Sequence, residues 1–383
     1  QVTLRIKAAC QAGEGSSMTN YLLAGGGTAG HVNPLLSLAD AIMDADSENK
    51  IWALGTAEGL ETRLVPERGY ELLTVARLPF PRKIGSYALK FPAKFLAAIR
   101  QVEGYIKSNK IDVVVGFGGY ASAPAYLAAK RLNIPVIVHE ANALPGWANK
   151  LGAKSAAAVG IVFASTPLPK AHVVGMPLRK EIEALAESMQ DNPNLALAKA
   201  NARKHFGLAP DCVTLLVTGG SLGAKRINET IDESRALFGA AGIQVLHIIG
   251  ERSDLPLIDT TDFQRIAYCD RMDLAILASD FAVSRAGSST ISEFAAVGLP
   301  AVYVPYPVGN GEQRFNVIEL VASGGGLTVS DADFSREYVA RELIPVISSS
   351  KRLGEMAQAA RATGIVDGTA RLLNLVNGVL SSK

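Results

Sequence analysis

Short apolar runs alternate along most of this chain with longer stretches whose apolar residues recur at helical spacing. The first unit predicts a strand over 21–24, then Gly25-Gly26-Gly27-Thr28-Ala29-Gly30-His31, then a helix with Asn33 at its N-cap and Pro34 in its first turn. Leu35, Leu36, Leu38, Ala39, Ile42 and Met43 form the buried face of that helix. Strands are predicted over 51–54, 111–115 and 135–139, and helices over 58–68 and 123–130. Alternation at this pitch means a parallel sheet covered on both faces.

The pattern then starts again. A strand over 213–217, the loop Thr218-Gly219-Gly220-Ser221-Leu222-Gly223-Ala224 and a helix over 225–231 repeat the opening unit, and strands over 244–249, 281–284 and 301–304 follow. The segment 173–179 reads as the last strand of the first half, and a polar helical stretch over 181–203 separates the halves, with the boundary near Pro177. Two such units imply two similar α/β domains facing each other, and a cleft between them is the natural active site. Residues 78–100 break the rhythm: Leu89, Phe91, Phe95, Leu96 and Ile99 are interleaved with Lys83, Lys90, Lys94 and Arg100, without an acid. An ordinary amphipathic helix and a surface lying on an anionic membrane both fit that pattern.

Composition narrows the class. The chain has 383 residues, 48% hydrophobic and 19% charged, enough for two domains with large cores. A net charge of +2 argues against a general nucleic-acid binder. Cys10, Cys212 and Cys269 are far apart and lack metal spacing, which fits a reducing compartment. No apolar run reaches the ~18 residues of a spanning helix. Residues 1–17 have no signal-peptide pattern and read as a disordered extension ahead of Met18.

The candidate chemistry sits at the strand ends. Glycines followed by a helix N-terminus suit a phosphate, although a plain tight turn explains them too. His31 at the mouth of such a loop is a candidate general base. A second glycine loop, 116–120, ends a neighbouring strand, where ligands of open parallel sheets bind. His139 and Glu140 fit either a site or a strand end; Asn142 could orient a sugar hydroxyl. In the second half, Ser221 could donate to a phosphate, and Ser288-Ser289-Thr290-Ile291-Ser292-Glu293 combines a hydroxyl run for a diphosphate with a carboxylate for ribose hydroxyls. Thr290 and Glu293 also match a capping box, which needs no ligand. Gln313 is a candidate sugar ligand and Asn316 a supporting one.

Six ordered blocks, 25–39, 113–129, 139–154, 173–179, 218–228 and 284–307, together resemble the bacterial peptidoglycan glycosyltransferases that add N-acetylglucosamine (GlcNAc) to lipid I. The chain departs from that pattern at Ala29, Leu222 and Glu312. The resemblance implies a GT-B fold of two Rossmann-like, doubly wound parallel-sheet domains facing across a cleft. Residues 18–177 would take the lipid acceptor and touch the membrane through 78–100, and residues 178–383 would bind UDP-GlcNAc, the terminal helix being free to pack back on the first domain. It further implies inverting transfer to the C4 hydroxyl of N-acetylmuramic acid (MurNAc), with no cofactor and no metal, at the cytoplasmic face of the membrane beside other cell-wall synthesis proteins. By the same resemblance His31 takes the position of the base. Thr28, Ala29, Gly30, Asn142, Arg179, Ser221, Cys269, the segment Ser288 to Glu293 and Gln313 take those of the ligand contacts.

Overall fold

The structure is a computed structural model that describes residues 18–81, 85–189, 192–220, 223–308 and 310–382. The expectations for residues 1–17, for Lys83 and for Ser221 therefore lie outside the described residues. The first sheet comprises β1 (Asn20–Ala24), β2 (Lys50–Thr56), β3 (Glu71–Val75), β4 (Val113–Gly116), β5 (Val136–Glu140), β6 (Ala158–Ile161) and β7 (Ala171–Val173). Its order is 3-2-1-4-5-6-7, parallel throughout. The second comprises β8 (Thr214–Thr218), β9 (Gln244–Ile248), β10 (Ile258–Asp259), β11 (Phe263–Ile266), β12 (Phe281–Ser284), β13 (Ala301–Tyr303) and β14 (Gly326–Thr328). Its order is 10-11-9-8-12-13-14, and only the β10 edge runs antiparallel. The chain changes direction across each sheet between β1 and β4, and between β8 and β12. Those are the switch points where the strand ends open a crevice.

The apolar residues of β1, Tyr21 to Ala24, are fully covered, as a parallel strand between two helix layers requires. Helix α1 (Ala29–Ala45) covers one face with Val32, Leu35, Leu36, Leu38, Ala39 and Ile42. Its N-cap lies five residues before the expected one, Asn33. Gly27 turns the chain at φ +88°, and the Thr28 carbonyl takes the N–H groups of His31 and Val32 at 3.1 Å each. Thr28 is thus the N-cap, and Pro34 lies inside the helix, leaving the Gly30 carbonyl without its intrahelical donor.

Helix α2 (Ser86–Ser108) buries Phe91, Ala98, Ile99, Val102 and Ile106. Among the described residues no helix is long and apolar enough to cross a membrane. The last helix, α4 (Gly368–Leu380), places Leu372 and Val376 in the same apolar cluster as Leu35, Leu38 and Val115, beside α1. Below the cleft a second cluster joins Ala143, Phe163 and Met176 to Phe294, Leu299 and Leu320. Asn316, fully buried, ties the halves with polar bonds: its oxygen accepts from the Ala143 N–H at 2.9 Å, and its amide donates to Asn142 at 3.2 Å and to the Ala286 carbonyl at 3.3 Å.

Candidate active site

The opening glycine loop is shaped from below by a residue that the sequence does not single out. Glu61, one percent exposed, accepts the Gly27 N–H at 2.8 Å and both the N–H and the hydroxyl of Thr56 at 2.8 Å. A Cβ at Gly26, Gly55 or Gly59 would overlap its side chain. Gly119 presses on the loop from the side, where a Cβ would lie 2.7 Å from the Gly26 oxygen. Burial opposes charge on Glu61, but the bonds from Gly27 and Thr56 outweigh it and hold the carboxyl below its ordinary range.

Above this base lies a cavity of about 540 Å³ between the domains. Its first wall is Thr28, Ala29, Gly30 and His31, and its second is the start of α3 (Ser288–Val297) with Arg179, Cys269 and Gln313. The two walls approach closely: a Cβ at Gly30 would sit 3.9 Å from the Ser289 hydroxyl. Helices α1 and α3 thus bring two N-termini, each with unsatisfied N–H groups and partial positive charge, to one space. The Ser289 hydroxyl and one oxygen of Glu312 are buried there with no partner among the described residues. Buried polar atoms of that kind call for a ligand or water.

Ser288, Ser289, Thr290 and Glu293 line the cavity, whereas Ile291 and Ser292 turn toward a smaller cavity behind the helix, as the helical repeat dictates. Gly287 is the N-cap of α3, so Thr290 stands inside the helix and no capping box forms. Glu293 instead meets Arg179 in two bonds of 3.1 Å across the cleft wall. Burial works against the guanidinium, but the Glu293 charge outweighs it and raises its affinity for the proton. Burial likewise pushes the Cys269 thiol up. The Gln313 oxygen accepts from Ala286 and Tyr306 N–H groups at 3.2 and 2.9 Å, leaving its amide as a donor.

His31 stands between this cavity and a second, of about 330 Å³, and lines both, as do Asn142 and Glu312. Its Nδ1 lies 3.0 Å from the Gly26 carbonyl. A carbonyl only accepts, so this bond puts the proton on Nδ1 and leaves Nε2 bare, on the side of Gly118. Glu140 does not face a ligand as a free acid: its oxygens accept from Asn142, Gly146 and Asn149 and shape the loop after β5. The second cavity runs out to Leu78, Phe80, Phe95 and Trp147. Phe80 packs on Trp147 at 4.9 Å and on Phe91 at 5.7 Å.

Two Asp-x-Asp strings occur, at 44–46 and 331–333, and neither lines the cleft: Asp44 pairs with Lys180 and Asp331 with Arg285. Among the described residues no three His, Cys, Asp or Glu side chains gather as metal ligands.

A two-sheet α/β enzyme frame with a cleft between its halves is matched by sequence models of the N-terminal domain of glycosyltransferase family 28 over residues 21–161 and of its C-terminal domain over residues 214–372. The chain belongs to that family. It is 52% identical, over 96% of its length and 98% of the relative's, to the Clavibacter michiganensis subsp. michiganensis UDP-N-acetylglucosamine–N-acetylmuramyl-(pentapeptide) pyrophosphoryl-undecaprenol N-acetylglucosamine transferase. The Streptomyces coelicolor enzyme of the same name is 45% identical over 95% of this chain and 99% of that one. The crystal structure of Acinetobacter baumannii MurG matches with a TM-score of 0.74 and 26% identity, over 94% of this chain and all of that one. The fold is the GT-B arrangement expected above.

Proposed function

We propose that this protein transfers GlcNAc from UDP-GlcNAc to the C4 hydroxyl of MurNAc in undecaprenyl-pyrophosphoryl-MurNAc-pentapeptide, lipid I, forming a β1→4 bond with inversion. The single observation that carries this reading is the convergence of the α1 and α3 N-termini on one cavity, with His31 between it and a second cavity that leads to an aromatic patch. A diphosphate answers the two partial charges, and the second cavity suits a sugar carried on a lipid.

In this reading the acceptor hydroxyl enters from the second cavity and gives its proton to His31 Nε2 as its oxygen attacks C1 of GlcNAc. The C1–O bond to the β-phosphate breaks and UDP leaves with the bonding pair. The N–H groups of α3 and the Ser289 hydroxyl stabilise the charge that gathers on the diphosphate. Glu293 takes the ribose hydroxyls while Arg179 holds it in place, so Arg179 acts on the donor largely through its partner.

The exposed rim of the patch is the proposed membrane contact. Leu89 is 82% exposed and Phe80 51%, with Lys90 and Lys94 exposed beside them, so the contact is narrower than the whole of 78–100. This supports a peripheral position on an anionic inner leaflet. UDP release, measured with and without a short-chain lipid I analogue, tests the proposal. Release only with the acceptor supports transfer, and release from UDP-GlcNAc alone would replace it with epimerase or hydrolase chemistry.

A further inference from the structure

We infer that Glu61 is a positioning residue for the transfer step, holding the His31 imidazole in its base-ready tautomer through the backbone of the glycine loop. The inference rests on the reading of His31 given above. The path has two bonds: the Glu61 carboxylate takes the Gly27 N–H at 2.8 Å, and the carbonyl on the other side of the same peptide group, that of Gly26, takes Nδ1–H of His31 at 3.0 Å. A peptide unit is planar, so fixing its N–H fixes the direction of its C=O.

The surroundings are built for this single carboxylate. Gly26, Gly55 and Gly59 each leave out the Cβ that would collide with it, and Thr56 anchors its other oxygen twice. Helix Glu61–Glu67 carries the side chain, so its origin is in a rigid element rather than in the loop that it holds. Nothing in the cavity lining includes Glu61, which separates positioning from contact with substrate.

The test compares Glu61→Gln with Thr56→Val in the full chain. In Glu61→Gln an amide can no longer accept on both sides, and kcat is expected to fall by about 10²-fold from misplacement of the base, while UDP affinity by calorimetry stays within about twofold. Thr56→Val keeps the Gly27 bond and loses thermal stability but not turnover. Nitrogen NMR of the His31 ring, read without any substrate, should show Nδ1–H in the wild type and in Thr56→Val, and a mixed tautomer in Glu61→Gln. If Glu61→Gln does not fold, Gly59→Ala, which displaces the carboxylate and keeps its charge, takes the same readings. Wild-type tautomer and turnover in Glu61→Gln would overturn the inference, as would equal losses of kcat in both variants. A tautomer shift in a protein whose wild type fails to use lipid I would sink the proposed function and leave the positioning intact.

Discussion

Single side chains separate binding from chemistry in this cleft. His31→Ala removes the proposed proton acceptor but no wall of the cavity proposed for the nucleotide beyond its own edge, so kcat should fall by about 10²- to 10⁴-fold while the UDP dissociation constant changes little; single-turnover kinetics beside calorimetry checks both. Arg179 and Glu293 form one unit of two 3.1 Å bonds, partly shielded from water. Truncating either leaves a charge behind it, so the stability losses of Arg179→Ala and Glu293→Ala should add up to more than the loss of the double variant. A denaturation cycle should return a coupling of about 1–3 kcal/mol, and additivity would remove the pair as a unit.

At the level of elements, α2 serves two solvents. Phe91 and Ile99 are core, so Phe91→Ala should lower the melting temperature, whereas Leu89→Asp should weaken co-sedimentation with phosphatidylglycerol vesicles and leave stability within about 1 kcal/mol. The sequence showed this stretch to be amphipathic, but only packing could tell which apolar residues remain at the surface. The glycine loops were legible because glycine punctuates a strand-to-helix turn and the helical period resumes after it. Their cause was not: Glu61 in a polar segment looks like any solvated acid until Gly26, Gly55 and Gly59 are seen around it. The first helix start was misread at Asn33 because a capping side chain is a local signal and the turn at Gly27 outranks it, whereas α3 starts at Ser288 and leaves the capping-box alternative at Thr290 unused. Strand β3 escaped because most of its residues are only half covered. The Arg179–Glu293 pair spans 114 positions and leaves no periodic trace.

The whole molecule carries two buried neutral histidines. Burial pushes His139 down to about 4, with the nearby His31 adding to the effect, and pushes His247 down to about 3, helped by Arg265. The unfolded chain takes up these protons near pH 6.5 and the folded chain does not. Stability is therefore intact above that pH, falls as the pH drops toward 4, and levels off only below the folded values. Two protons give a slope of up to about 2.7 kcal/mol per pH unit, and urea midpoints that stay flat from pH 6.5 to 4.5 would refute it. A different kind of order follows from α4. Its Leu372 and Val376 complete the apolar layer around α1 and Val115, yet they lie almost at the far end of the chain from them. During synthesis the flank of the first sheet waits roughly 200 residues, about 10–40 s at bacterial ribosome speeds, for its last wall. The half of the protein made first is thus finished last, and while it waits its open side is the surface that a nascent-chain chaperone would grip.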